Sequence, residues 1–95
     1  MTLTSMGEMC SEIVQIVSDP TRPVGQAEMV KVGLRTLAPD EATAERYLGD
    51  ASKGVHRKIS AFRNDGEHQL ADQVQERLSS ALGSVQPVSK AKAFA

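Results

Sequence analysis

Across residues 40–63 the apolar side chains of Ala44, Leu48, Ala51, Val55, Ile59 and Phe62 recur at steps of three and four, which is the spacing of one helix face. On a wheel of 3.6 residues per turn these six fall within an arc of roughly 80°, and Arg46, Lys53, Arg57 and Asn64 lie almost opposite. One side of this helix needs a core and the other faces water or an anion. Upstream, Ser5-Met6-Gly7-Glu8 has the S-x-x-E form of a capping box and opens a first helix. Its apolar face is Met6, Met9, Cys10, Ile13, Ile16 and Val17. Asp19-Pro20 ends it, because the residue before proline is driven out of the helical region.

After the stiff Thr21-Arg22-Pro23 connection a second helix is expected over 24–37. Ala27, Val30, Leu34 and Leu37 form one core face, while Met29 and Val32 point to nearly the opposite side, beside the low relief of Gly33 and Thr36. Glu28, Lys31 and Arg35 crowd into one narrow strip, so most of the circumference reads as buried, either centrally in a monomer or against a partner. Pro39-Asp40-Glu41 restarts the chain as the long helix. Gly49 and Gly54 inside it call for a packing reason, and Gly49, Ser52 and His56 share a side that admits another backbone. Asn64-Asp65-Gly66 is a turn in which Asn or Gly ends the long helix and Asp65 caps the next. A fourth helix over 67–82 carries Leu70, Ala71, Val74, Leu78, Ala81 and Leu82, with Gly83 as its stop. The expectation is an all-α bundle of about four helices at 5–18, 24–37, 40–63 and 67–82. Residues 1–83 form the helical domain and 84–95 a flexible C-terminal tail.

Composition narrows this picture. At 95 residues the chain is one domain, small enough that a second copy would help it bury apolar surface. A homodimer with Met29 and Val32 at its interface follows. Aromatics are confined to Tyr47, Phe62 and Phe94, so the core is aliphatic, with methionine as adaptable filler. Eleven Lys and Arg against twelve Asp and Glu give a net charge of −1, so contact with nucleic acid would depend on a local patch rather than on the overall field. The lone Cys10 forms no internal disulfide and reads as a buried thiol. No basic segment followed by a long apolar run is present, which points to a soluble protein of the reducing cytoplasm with no membrane contact.

Local signatures of catalysis are absent: no glycine-rich phosphate loop, no G-x-S-x-G, no C-x-x-C and no H-E-x-x-H. The reading is a protein that is not an enzyme and takes no cofactor or metal. His56 and His68 are surface or packing histidines, and the acids near 40 and 65 are explained by capping. One constellation carries a functional meaning. Arg46, Lys53 and Arg57, with His56 and Arg63 at the margin and Lys58 nearby, stand along the outer face of the long helix, spaced to follow a row of phosphates. The plain alternative is a solvated face, interrupted by Asp50 and adjoining Glu45.

Residues 26–37, QAEMVKVGLRTL, resemble the second helix of ribbon-helix-helix antitoxins and repressors. The resemblance implies that helix 5–18 stands for that family's first helix, and that Thr2-Leu3-Thr4 stands for the ribbon that reads the major groove. It also implies that Met29 and Val32 pack in the dimer. The ribbon is nearly without length here, and Asp19-Pro20-Thr21-Arg22-Pro23 replaces the family's compact glycine-bearing turn. In architecture alone the chain is similar to the small helical silencing suppressors of nodaviruses, which lay paired helices on duplex RNA. That likeness implies phosphate and 2′-hydroxyl contacts without aromatic stacking. The expected role is therefore a small regulatory protein that binds DNA or RNA through a basic helix face. The alternative is an adaptor or inhibitor that binds protein through the apolar second face.

Overall fold

The computed structural model describes residues 5–83, and within them the chain forms four α-helices and no strand. They are α1 (Met6–Ser18), α2 (Val24–Leu37), α3 (Glu41–Asn64) and α4 (His68–Leu82). Both the Thr2-Leu3-Thr4 ribbon and the expected tail lie outside the described residues.

Each boundary has a local cause. The Ser5 hydroxyl accepts from the Glu8 amide at 3.1 Å, capping α1. Asp19 then builds the two-proline connection: its carboxylate accepts from the Thr21 amide at 3.0 Å and the Thr21 hydroxyl at 2.6 Å. Arg22 holds this loop to α1 through Glu12 at 3.0 Å. Pro23 stands at the N-cap of α2, where a missing N–H costs nothing. Asp40 caps α3, accepting from the Thr43 amide at 2.7 Å. At the far end the chain departs from expectation. Asn64 is still helical, Asp65 is the C-cap of α3 rather than the N-cap of α4, and Glu67 takes the latter place without a side-chain cap bond. Gly66, at φ 81°, makes the reversal, because a residue with a Cβ pays a steric penalty in that region.

The hydrogen bond to Thr43 holds the Asp40 carboxyl below the usual aspartate range. A depressed folded-state pKa means that the cap's stabilisation is complete above the unfolded value and is lost as pH falls through the folded one. Asp40→Asn keeps a capping oxygen but removes the titration. Thermal melts taken on either side of about pH 4 should therefore show a shallower acid decline in that variant than in the wild type. Equal declines would show that Asp40 contributes nothing to the pH dependence.

The core is the one the helical spacing indicates. Ile13, Ile16 and Val17 of α1, Ala27 and Leu34 of α2, Ala44, Leu48, Ala51, Val55 and Ile59 of α3, and Ala71, Val74, Leu78, Ala81 and Leu82 of α4 are all buried. α1 packs against each of the other three helices, whereas α2 and α3 barely meet. Where α1 crosses α3, a Cβ added at Gly54 would lie 3.0 Å from Val14 Cγ2. Gly54 is therefore the residue that allows close approach. Gly49, expected to share that role, has nothing within 4 Å of an added Cβ.

Two positions on α2 are corrected by the packing. Leu37, placed on the core face by periodicity, is 48% exposed because the helix ends there and the chain turns away. Lys31, on the polar strip, is instead largely covered. Its ammonium donates to the Ala81 carbonyl at 2.8 Å, in the last turn of α4, while pairing with Glu28 at 3.2 Å. The circumference of α2 is also less buried within one chain than its sequence suggests: Met29 is 75% exposed and Val32 62%.

Candidate nucleic-acid interface

The apolar seam of α3 fixes the orientation of its opposite face. With Ala44, Leu48, Ala51, Val55 and Ile59 locked inward, the 100° step of the helix turns Arg46, Lys53 and Arg57 outward within roughly 40° of arc. All three are exposed. From Arg46 to Arg57 the row runs for roughly 16 Å. Arg46 lies over the Tyr47 ring, 5.8 Å from its centroid, close enough for a cation–π contact that steadies the guanidinium.

The pairing of this row differs from that of most other described cations. Among the described residues, Arg22 pairs with Glu12, Lys31 with Glu28, Arg35 with Glu41 and Arg63 with Asp72. Arg77 donates to the Val17 and Ile16 carbonyls at 3.0 and 2.6 Å. No carboxylate of the described residues comes within ion-pair distance of Arg46, Lys53, Arg57 or Lys58. Lys58 is exposed but sits off the row, about 120° from its midline. Asp50 interrupts the row as an exposed acid on the same face.

The margin residues divide. His56 is exposed and lies one helix step from the row, in position to extend it. Arg63, at the last turn of α3, is drawn away to Asp72 of α4 at 2.9 Å, an ion pair that helps close the α3–α4 hairpin. It joins the row only by exchanging that partner. His68 is exposed at the start of α4, remote in sequence from the row.

Elsewhere the described residues offer little chemistry. No three His, Cys, Asp or Glu side chains are gathered so that they could hold a metal ion. The Cys10 thiol is half-buried and donates to the Tyr47 carbonyl at 3.4 Å. Burial first, and the nearby Asp50 carboxylate second, push its pKa up, so the unreactive thiol form dominates at neutral pH. An open groove of about 470 Å³ runs between the α1–α2 connection and α4, lined by Pro20, Val24, Gln73, Glu76, Arg77 and Ser80. Its cation, Arg77, is already engaged with the end of α1. No described helix is long and apolar enough to cross a membrane.

Sequence reasoning located the row but not its isolation, since which cations are neutralised depends on Asp72, Glu41 and Glu12 arriving from other turns and helices. The chain matches no protein-family model, no curated protein and no solved structure.

Proposed function

We propose that this is a small non-enzymatic regulatory protein of a reducing intracellular compartment, which occupies a nucleic acid through phosphate contacts from Arg46, Lys53 and Arg57 and acts as a homodimer through the Met29 and Val32 side of α2. The observation that carries the reading is the row itself. The three cations of this face lack carboxylate partners among the described residues, whereas Arg22, Lys31, Arg35, Arg63 and Arg77 are all engaged and only Lys58, off the row, is likewise unpaired. Leaving cations unneutralised along a rigid 24-residue helix keeps them available to a polyanion, and a helix row presents them without cost of ordering a loop. Phosphate contacts position a protein without reading bases, so the proposed activity is broad duplex binding, with His56 at the margin and Arg63 recruited from Asp72.

The test compares wild type with Arg46→Glu/Lys53→Glu/Arg57→Glu, after circular dichroism has shown that the variant is folded. Wild type should bind short DNA and RNA duplexes at low salt and lose them as salt rises. For DNA, the variant's slope of log affinity on log salt should be shallower by about 0.9 for each of the three contacts. Asp50→Asn should act in the opposite direction and tighten binding, because it removes the one acid within the row. No measurable binding by wild type, or equal binding by the triple variant, would overturn the proposal. The exposed apolar face of α2 then carries the function, as a protein-binding adaptor or inhibitor whose association tolerates salt.

A further inference from the structure

The exposed side of α2 is an ordered seam. Gly25, Met29, Val32 and Thr36 stand at steps of four, three and four, the spacing of alternating core positions in a two-stranded coiled coil, and all four are exposed in the single chain. They fall within roughly 60° of arc. All the charged residues of the helix, Glu28, Lys31 and Arg35, lie to one side of this seam. Met29 and Val32, 75% and 62% exposed, stand one turn apart on the same face, and contiguous exposed apolar residues, unlike scattered ones, mark a surface for association.

The seam is also symmetric about its own middle. Midway between Met29 and Val32, its contents read alike in polarity in both directions: the two large apolar residues inside, Gly25 and Thr36 outside. A two-fold axis through that point sets Met29 against Val32 of a second copy and Gly25 against Thr36 of a second copy, so that the apolar residues meet each other and glycine leaves room opposite threonine. The flanking charges select the same arrangement. Glu28 and Arg35 occupy equivalent positions beside the seam, one heptad apart. In an antiparallel pair these positions face each other, so Glu28 meets Arg35 of the second copy and Arg35 meets its Glu28. In a parallel pair they face the opposite flank, which holds Gln26 and Gly33 and offers no charge. Both carry intrachain partners: Arg35 pairs with Glu41 on the exposed surface, where such pairs exchange at little cost, and the half-exposed Glu28 pairs with Lys31, whose largely covered ammonium keeps the Ala81 carbonyl when Glu28 turns to the second copy.

We infer that α2 pairs antiparallel with α2 of a second copy of this chain, across a two-fold axis between Met29 and Val32, with two Glu28–Arg35 contacts fixing direction and register. This rests on the homodimer proposed above and adds its geometry. The Lys31 ammonium, holding the end of α4 from the far side of the helix, stays clear of the interface and keeps α2 rigid against the rest of the bundle.

The experiment is thiol cross-linking without nucleic acid, in a Cys10→Ser background that retains a donor toward the Tyr47 carbonyl. Gly25→Cys and Thr36→Cys are made as separate chains. An added Cβ at Gly25 meets nothing within 4 Å, and Thr36 is exposed, so both should fold. With a short bifunctional thiol reagent, an equilibrated mixture of the two variants should cross-link, whereas each variant alone should not, because like positions lie roughly 16 Å apart along the antiparallel seam. Sedimentation should show Val32→Asp as a folded monomer. Glu28→Arg should raise the dimer dissociation constant about tenfold, and adding Arg35→Glu in the same chain should bring it back. Self-cross-linking by either single variant, or a dimer that survives Val32→Asp, would refute this register while leaving the homodimer standing. A wild-type chain that sediments as a monomer at every concentration would refute both.

Discussion

Val55→Asp is expected to abolish the cooperative thermal transition. Val55 is fully buried in the seam that α3 shares with α1 and α4, and no cation among the described core residues stands ready to pair with a carboxylate there. Burying an unpaired charge costs at least several kcal/mol, against a total stability of about 5–10 kcal/mol for a domain of this size. Ile59→Asp, one turn on and 5% exposed, should have nearly the same effect. The comparison is Val32→Asp, which introduces the same group on the exposed face of α2 and should leave the helical circular dichroism of the chain intact. A Val55→Asp protein melting close to wild type would mean that the buried face of α3 is wrongly assigned.

Arg77→Met should be the most damaging substitution of a charged residue. The last turn of a helix leaves carbonyls without intrahelical partners, and α1 has no basic residue in its own last turn. Arg77 supplies that role from α4, its guanidinium donating to the Val17 and Ile16 carbonyls at 3.0 and 2.6 Å. These are charge-assisted bonds in a partly buried setting, and the positive group also meets the negative end of the α1 dipole. Methionine keeps most of the side-chain volume and removes both donors. A loss of about 2–3 kcal/mol follows, read as a fall in melting temperature of roughly 10–20 °C. Arg77→Lys, with a single compact donor group, should fall between the two. A shift of only a degree or two in Arg77→Met would show that water satisfies those carbonyls equally well.

Arg77 and Lys31 form a matched pair of devices, since Lys31 of α2 serves the end of α4 as Arg77 of α4 serves the end of α1. Each helix end is closed by the helix packed beside it. Removing either side chain therefore tests helix packing and helix capping together. The basic row of α3 takes no part in these contacts, which makes charge reversal there a test of binding that leaves the fold in place.

What the chain determines locally is extensive, because helix periodicity, caps and proline breaks act over four or five residues. Every element lies where spacing and punctuation place it, to within a residue at each end. Ser5 and Asp40 cap as their neighbours dictate, and the buried face of α3 follows from its apolar steps alone. The outward position of Arg46, Lys53 and Arg57 follows from the same periodicity. Tertiary structure decided what depends on a second helix arriving. It exposed Leu37 at a helix end, covered Lys31, committed Arg77 to α1 and Arg63 to Asp72, and made Gly54 rather than Gly49 the point of close approach. The physical reason is the same in each case: a side chain's direction around its helix is set by the local repeat, but the atoms it meets belong to residues far along the chain, whose approach depends on how the helices pack.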